Sequence, residues 1–586
     1  MIKPFTNERK SKQKIDRERS DVYNDLMSVD TDRLPDYVEE SEEYSRMLRR
    51  YGFYPLLNKD GVPVSYMFKV DHNSYRRVAD FYIDPLFHVY SKNKEENRRV
   101  IRINRLYVNK PTYVDWPSSV FVKLTTLQEM LINEGAYNFE GGDAKDYAKI
   151  WNCVSYKFPK CSEIKVYGQQ EENCFLFSNG IFHQVDGEWK FEYTDELGLT
   201  KHDDEIFYSP AFSKVNAGVR KDNDKYEQDR WLVYADTQPN KRITFQKWAA
   251  LMDEVYKIND NGKWALIYAI MCAFRSDIFP LNRHFTAIFF IGPTMSGKTQ
   301  IAVSIRSLFI KPEAPSFNLT SGTDAAFFPI LERFRDVPQI FEEYNDDMIS
   351  DVKFQGLKQT CYDGEGKQKR KSATSNDIES SKVNAPAVIL GQEAPQNDDN
   401  ALSNRVVLCE VPKRDSISED HAQQIFQELK DAEKAGLSYL LLEILRIRPI
   451  VRSKFAELQK LCSKELQNKV EAAGSRSGDQ TRVINTVSMF LATCKMLTLY
   501  VPELKLPFTY GEFLELAVEK IRKQVDMLVK TDKLAMFFNT IDYLIDKGSI
   551  KCGRDFKIER PGRLKLKGGI EKIMQPADTA VLYMNF

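Results

Sequence analysis

The sequence has no CxxC pair, no secretory leader and no long apolar run. Its nine cysteines and six histidines are scattered along 586 residues, which argues against a structural zinc site. Scattered cysteines of this kind indicate buried thiols in a reducing compartment. No apolar stretch approaches the roughly 20 residues that a helix needs to cross a bilayer. We therefore expect a cytoplasmic protein that has no membrane partner.

An excess of charge of one sign is also absent. The 84 basic and 84 acidic residues cancel, which excludes a protein that coats nucleic acid with its whole surface. A local basic site remains compatible with this balance. The chain is too long for a single hydrophobic core, so we expect several domains.

One continuous stretch carries a complete phosphate-binding motif. Residues 292–299 read GPTMSGKT, which fits the pattern GxxxxGK(S/T). Gly292, Ser296 and Gly297 shape a loop whose backbone N–H groups face phosphate oxygens. Lys298 reaches the terminal phosphates and Thr299 ligates Mg²⁺ through its hydroxyl. An apolar strand precedes the loop and a helix follows it, so we predict ATP and Mg²⁺ as ligands.

A second apolar segment, residues 337–344, contains two adjacent carboxylates at its end. We assign Glu342 to the metal and Glu343 to the attacking water. Since successive strand residues point to opposite faces, only one carboxylate is expected to reach the metal directly. The alternative is an exposed acidic turn that includes Asp346 and Asp347.

Two polar residues near the next strands complete the predicted catalytic set. Gln392 follows the apolar strand 387–390 and could orient the attacking water. Arg405 precedes the strand 406–409 and could stabilise charge on the transferred phosphoryl group. The alternatives are a plain strand-end turn for Gln392 and a surface ion pair for Arg405.

The order of these motifs resembles that of superfamily-three helicases, the AAA+ replicative helicases of viruses, phages and plasmids. Parvovirus replication proteins of this family also end the second motif in Glu-Glu. The family places a basic β-hairpin in a central channel, and its counterpart here is the segment 362–371. The resemblance thus implies DNA-binding roles for Lys367, Lys369, Arg370 and Lys371, which would hold single-stranded phosphates. The alternative is a solvated basic loop.

The longer chain resembles the primase–helicase-type ATPases of phages and mobile elements, which are related to the poxvirus primase–helicase. Residues 81–90 and 139–142 carry this looser similarity. The resemblance implies a ring, expected to be a hexamer, in which Arg405 enters the neighbouring subunit's ATP site. It also implies single-stranded or forked DNA as partner, with a primase or other replication proteins. The family usually has Asn where this chain has Gln392, and no acidic primase centre is evident.

We therefore predict an α/β protein with a P-loop AAA+ core that resembles superfamily-three helicases. Its function is expected to be ATP hydrolysis coupled to DNA unwinding in the replication of a phage or mobile element. The alternatives are an ATPase of a defence or regulatory system that unwinds nothing, and a replication initiator that binds DNA. The predicted segments are 1–25, a basic flexible arm; 26–235, a mixed α/β N-terminal domain; 236–283, a helical lead-in; 284–412, the ATPase core; 413–530, a helical domain; and 531–586, a winged-helix-like module.

Several shorter elements are predicted as well. The segments 100–108, 174–177 and 231–234 have strand-like composition, whereas 124–134 and 422–445 have helical periodicity. The last predicted strand, 581–586, reaches the final residue, so we expect that further chain follows it in the natural protein.

Overall fold

A computed structural model places most of the chain in two compact units. The units comprise residues 1–167 with 171–233, and residues 168–170 with 234–586. The described residues are 34–71, 74–106, 108–135, 137–139, 142–170, 173–217, 226–360, 362, 364–370, 378–395, 401–413, 420–472, 481–531, 533–559, 563–565, 571–573 and 581–584.

The first unit is a mixed α/β structure with three antiparallel or mixed sheets. Its helices are α1 (Asp36–Glu40), α2 (Glu42–Tyr51), α3 (Leu124–Gly135) and α4 (Ala144–Val154). Its strands are β1 (Phe53–Leu57), β2 (Pro63–Asp71), β3 (Ser74–Arg77), β4 (Phe81–Val89), β5 (Arg98–Arg105), β6 (Val108–Pro117), β7 (Lys160–Glu163), β8 (Tyr167–Gln169, which ends in the second unit), β9 (Phe175–Phe177), β10 (Gly180–Val185), β11 (Glu188–Tyr193), β12 (Leu199–His202) and β13 (Glu205–Tyr208).

The largest sheet of the first unit has the strand order β12-β13-β7-β4-β5-β6. Its central strands β4 and β5 do not alternate between buried and exposed positions, because neighbouring residues such as Val100 and Ile101 are both buried. Ile101 and Ile103 of β5 belong to a core that includes Tyr147 and Ile150 of α4. Val100, from the other face of β5, belongs to a separate cluster with Phe87, so both faces of this sheet are packed.

The second unit is built around a parallel sheet flanked by helices. Its helices are α5 (Phe245–Val255), α6 (Asn261–Cys272), α7 (Arg275–Asn282), α8 (Lys298–Arg306), α9 (Asp324–Arg333), α10 (Asp351–Gln355), α11 (Asp420–Ala435), α12 (Ser438–Leu445), α13 (Arg448–Ala472), α14 (Thr481–Tyr500), α15 (Tyr510–Thr531) and α16 (Lys533–Asp546). Its strands are β14 (Ala287–Ile291), β15 (Phe317–Asn318), β16 (Phe334–Arg335), β17 (Gln339–Tyr344), β18 (Glu365–Arg370), β19 (Ile378–Lys382), β20 (Ala387–Gly391), β21 (Val406–Glu410), β22 (Phe556–Glu559), β23 (Arg563–Lys565), β24 (Glu571–Ile573) and β25 (Val581–Met584).

The central sheet has the order β15-β17-β20-β14-β21, and all its neighbouring strands run parallel. Every residue of β14 and β20 is buried, which explains their continuous apolar sequences. Helix α6 is buried along its whole length, and Tyr268 on it donates hydrogen bonds to carbonyl oxygens of Thr286 and Ala387. These contacts hold the helix against the two strands that precede the functional loops.

A buried ionic network joins the helical region to this sheet. Arg448 at the start of α13 pairs with Asp277 of α7 and with Asp336, 3.4 Å away at the turn before β17. Burial raises the pKa of Asp336 to about 6, although the Arg448 charge and hydrogen bonds from Ser276 act in the opposite direction. Removal of one partner would leave an uncompensated buried charge, so the network specifies how α7 and α13 meet.

Helix α14 is the one described helix that is long and apolar enough, by itself, to cross a membrane. In the structure 72% of its apolar window is buried within the protein. Phe490 of this helix packs on Trp264 of α6, with ring centroids 5.3 Å apart. Its apolar sequence therefore has partners inside the second unit.

Most sequence-based element predictions are confirmed, and two are wrong. Residues 231–234 are not a strand, because a 3-10 turn ends at Trp231. The N–H of Leu232 donates to Asp229 O within this turn, and its carbonyl oxygen accepts from Ser178 N–H. The helix predicted over 422–445 is divided into α11 and α12 at Gly436, which has φ +103°. The predicted buried thiols are confirmed for all described cysteines except the exposed Cys552.

The C-terminal segment contains α16 followed by two antiparallel strand pairs, β22–β25 and β23–β24. The strand β24 was not predicted from the sequence. The order of one helix and paired strands is compatible with a winged-helix module, which stays a prediction.

Candidate nucleotide site

The loop after β14 is shaped by two glycines. A Cβ atom at Gly292 would lie 2.1 Å from the carbonyl oxygen of Val411, so no side chain fits there. Gly297 has φ +96° and immediately precedes α8, a conformation that a residue with a side chain rarely adopts. The loop thus returns onto the helix and leaves the first N–H groups of α8 without intrahelical acceptors.

Lys298, the first residue of α8, closes this loop with its side chain. Its Nζ donates hydrogen bonds to the carbonyl oxygens of Gly292 at 2.5 Å and Pro293 at 2.7 Å. Burial lowers the pKa of Lys298, and the Glu343 carboxylate counteracts this effect. The loop thus holds the ammonium group where the charge of Glu343 acts on it, and a phosphate would compete for it.

The predicted site residues of three loops lie around one cavity of about 330 Å³. The cavity is at the carboxyl edge of the parallel sheet, where ligands of open α/β sheets bind. It combines a helix N-terminus, an ammonium, a hydroxyl and two carboxylates. Its lining residues are Thr294, Met295, Ser296, Gly297, Lys298, Thr299, Gln300, Glu342, Glu343, Leu390, Gly391 and Gln392.

Both carboxylates line the cavity because β17 has a bulge at its end. Phe341 pairs with Ile389, and Tyr344 pairs with Gly391. An advance of three residues along β17 therefore corresponds to an advance of two residues along β20, which is a β-bulge. Glu343 has φ +59°, a conformation that non-glycine residues seldom adopt. The bulge thus allows both side chains to line the cavity, and which of them reaches the metal stays a prediction.

Backbone hydrogen bonds hold this bulge in place. The carbonyl oxygen of Glu342 accepts from Leu319 N at 2.8 Å, and that of Glu343 accepts from Thr320 Oγ1 at 2.9 Å. The segment after β15 thus fixes the direction of each carboxylate. The neighbouring Asp346 instead accepts a hydrogen bond from Tyr344 and does not line the cavity.

The two carboxylates have different cationic neighbours. The charge of Glu343 acts on Lys298, whereas the charge of Glu342 acts on Arg306. Burial lowers the pKa of Arg306 to about 10, and its guanidinium donates to the carbonyl oxygens of Ala314 and Pro315. The role of Arg306 is not predictable from the sequence, because no local motif distinguishes it from other helix arginines.

Arg405 lies far from this cavity within its own chain. Its carbonyl oxygen accepts from Thr286 Oγ1 at 3.1 Å, at the amino edge of the sheet. The cavity is at the opposite edge, and the five residues of β14 span about 16 Å. Its Nη1 donates to Ala401 O at 2.8 Å, and its guanidinium lies 5.6 Å from the ring centroid of Tyr362. Arg405 is thus outside its own chain's phosphate loop.

The basic segment forms part of an antiparallel strand pair, β18–β19. Lys367, Lys369 and Arg370 lie on β18, and Lys371 lies outside the described residues. Tyr362, just before β18, stacks on His284 with a centroid distance of 4.6 Å. The strand pair therefore starts at the amino edge of the sheet, beside Arg405.

The residues present are suited to bind a nucleotide with Mg²⁺. The loop and helix N-terminus provide donors for phosphate oxygens, and Thr299 and the carboxylates provide oxygen ligands of the type that Mg²⁺ prefers. Within the described part of the chain, no group of three or more His, Cys, Asp or Glu side chains is arranged to hold a metal by itself. A metal here would share its coordination with phosphate oxygens and water.

The sequence matches no protein-family profile and no curated protein sequence. Its structure is similar to that of SCCmec type IV Cch, described as an active helicase, with a TM-score of 0.53, 14% identity and coverage of 87% of each chain. Two further structures align more weakly: the JCV helicase with a bound small molecule (TM-score 0.22, 14% identity, 42% of this chain and 66% of that chain) and the apo C-terminal region of NrS-1 (TM-score 0.24, 10% identity, 71% and 88%). The first similarity shows that this chain shares its fold with Cch.

Proposed function

We propose that the protein is an ATP-driven DNA helicase or translocase with a P-loop AAA+ core of the superfamily-three type. The observation that carries this proposal is the single cavity that combines Lys298 and Thr299 with Glu342 and Glu343. The shared fold with Cch, described as an active helicase, supports unwinding as the work that hydrolysis drives. The setting we propose is the replication of a phage or mobile element.

Each residue of the cavity has a proposed role. Mg²⁺ supplies charge neutralisation at the phosphates when bound, with Thr299 and Glu342 as its protein ligands. Lys298 leaves its carbonyl partners and neutralises the terminal phosphates. Glu343 accepts a proton from the attacking water, and Gln392 orients that water.

The assembly we propose is a ring, a hexamer by resemblance, with ATP bound between subunits. Arg405 supports this arrangement because it cannot reach its own cavity from the opposite sheet edge. It would stabilise transferred charge in the neighbour's site. The β18–β19 strand pair would face the channel and hold one DNA strand, and a primase or other replication proteins are candidate partners.

The function is tested by ATP hydrolysis with and without single-stranded DNA, together with unwinding of a forked duplex. We expect DNA to stimulate hydrolysis and the fork to be unwound only when ATP is hydrolysable. Hydrolysis that DNA does not change, with an intact fork, would favour an ATPase of a defence or regulatory system. Lys298→Ala protein provides the baseline for both assays.

Replacement of Lys367, Lys369, Arg370 and Lys371 by alanine is expected to abolish unwinding. Each lost phosphate contact should reduce the salt slope of single-strand binding by about 0.7. Fluorescence anisotropy across a salt series measures the slope, and binding of a fluorescent ATP analogue verifies the folded state. Unwinding at the wild-type rate would contradict a channel role for β18.

Arg405→Ala is expected to be inactive alone and to recover activity partly when mixed with Lys298→Ala protein. The two lesions would lie on opposite sides of a subunit interface, so mixed rings contain some intact sites. ATP turnover of the mixture measures the recovery, and mass spectrometry verifies subunit exchange. No recovery despite exchange would place Arg405 outside the neighbour's site.

A further inference from the structure

Strand β5 of the first unit carries four arginines, and one of them differs from the rest. Arg98, Arg102 and Arg105 each have a carboxylate partner. Among the described residues, Arg99 forms no ion pair. The observed pairs are Arg98–Asp115 at 2.9 Å, Arg98–Glu163 at 2.9 Å, Arg102–Asp84, and Arg105–Asp80 at 3.8 Å.

The register of the sheet places two further basic side chains beside Arg99. His88 of β4 is directly opposite Arg99, and Lys160 of β7 is directly opposite His88. Residues that are directly opposite on adjacent strands point to the same face of a sheet. Since strands lie about 4.8 Å apart, the three residues form a row about 10 Å long. We call Arg99, His88 and Lys160 the basic row.

Aromatic rings surround this row where carboxylates would be expected. The Arg99 guanidinium lies 5.1 Å from the Trp151 ring centroid and 4.7 Å from that of Phe158. Lys160 is exposed and lies 5.4 Å from the ring of Tyr90, which is itself 48% exposed. The rings beside Arg99 are part of the core or pack against it, whereas Tyr90 beside Lys160 is exposed. An exposed aromatic ring next to a cation is typical of surfaces that bind the bases and phosphates of single strands.

The positive charge of the row is not neutralised within the described chain. Burial lowers the pKa of His88, and the charges of Arg99 and Lys160 lower it further. Burial also lowers the pKa of Arg99. Arg99 Nε and His88 Nε2 are shielded from solvent and have no hydrogen-bond partner among the described residues.

We propose that the basic row binds backbone phosphates of a single-stranded nucleic acid, with Tyr90 as a stacking surface for a base. Two cations about 10 Å apart can contact two phosphates of one extended strand, whereas a single small anion can contact only one of them. The choice of a nucleic acid among phosphate ligands rests on the proposed helicase function. The row would hold DNA in a unit to which the ATPase motifs assign no role.

The test uses full-length protein in which the four basic residues of segment 367–371 are alanine, so that the row dominates binding. A labelled oligo(dT) strand is titrated without ATP across a salt series. Arg99→Gln with Lys160→Gln should weaken binding about ten-fold and reduce the salt slope by about 1.4. Arg102→Gln, on the other face of the same strand and paired with Asp84, should change neither quantity. An unchanged slope in the double variant would overturn the proposal.

Three further measurements show whether misfolding or binding of free phosphate explains the result. Lys160 is exposed, so Lys160→Gln alone should fold normally and reduce the slope by about 0.7. Arg99→Lys should retain most of the binding because it keeps the charge. Displacement of the strand by millimolar inorganic phosphate, but not by chloride of equal ionic strength, would assign the row to free phosphate and overturn the nucleic-acid identification. Failure of the helicase proposal would instead appear as hydrolysis that DNA does not stimulate.

Discussion

Lys298→Ala is expected to reduce ATP hydrolysis by about a hundredfold or more, since one preorganised charged contact in a dry site has an effect of this size. In the structure Lys298 donates to loop oxygens of Gly292, Pro293 and Ser296, and the charge of Glu343 acts on it. Its removal takes away the cation that would neutralise the terminal phosphates and disturbs no apolar core. Steady-state phosphate release at saturating ATP measures the effect.

Lys311→Ala is the matched control, because Lys311 is an exposed lysine close to α8 that does not line the cavity. It should hydrolyse ATP at the wild-type rate. Circular dichroism of both variants should match wild type. Retention of more than about a tenth of wild-type turnover by Lys298→Ala would place the reaction elsewhere.

Glu343→Gln should bind ATP normally and hydrolyse it at least about a hundred times more slowly. The amide has the size of the carboxylate, so the bulge and the φ of +59° are retained. What is lost is the group that accepts a proton from water. Rapid-quench measurements separate binding from hydrolysis, and the variant is expected to remain on DNA with ATP bound.

Glu342→Gln is the comparison that decides between the two carboxylates. The charge of Glu343 acts on Lys298 and that of Glu342 acts on Arg306, so the two carboxylates differ in their surroundings, and we assign metal binding to Glu342. Replacement of the Glu342 carboxylate by an amide should raise the Mg²⁺ concentration needed for half-maximal activity. If Glu342→Gln loses hydrolysis with a normal Mg²⁺ dependence, and Glu343→Gln keeps hydrolysis, the two assignments are reversed.

The path of the loop 292–299 was predictable because its requirements are local. Two glycines, a lysine and a hydroxyl at fixed spacing determine the backbone path and the donors of one short segment. The buried strands were predictable from their continuous apolar runs for the same reason. The position of Gln392 beside the cavity followed from the rule that parallel strands end at one sheet edge.

The arrangement of the two carboxylates was not predictable in the same way. The bulge at Glu343 depends on the register between β17 and β20, which are distant in the sequence. Nothing in the segment 337–344 indicates that three of its residues correspond to two residues on a neighbouring strand. The neighbouring segment after β15 supplies the hydrogen bonds that stabilise this geometry.

The sequence by itself thus determined which residues could bind phosphate, because the chemistry of that loop is written in consecutive positions. The tertiary structure decided which charged residues are already paired. Arg98 and Arg99 are neighbours of the same type, yet one has two carboxylates and the other lies between aromatic rings. Likewise, Arg405 proved to lie at the sheet edge opposite the cavity. Strand order and register decide which side chains form ion pairs and at which sheet edge a residue lies. They bring together residues that no local pattern relates.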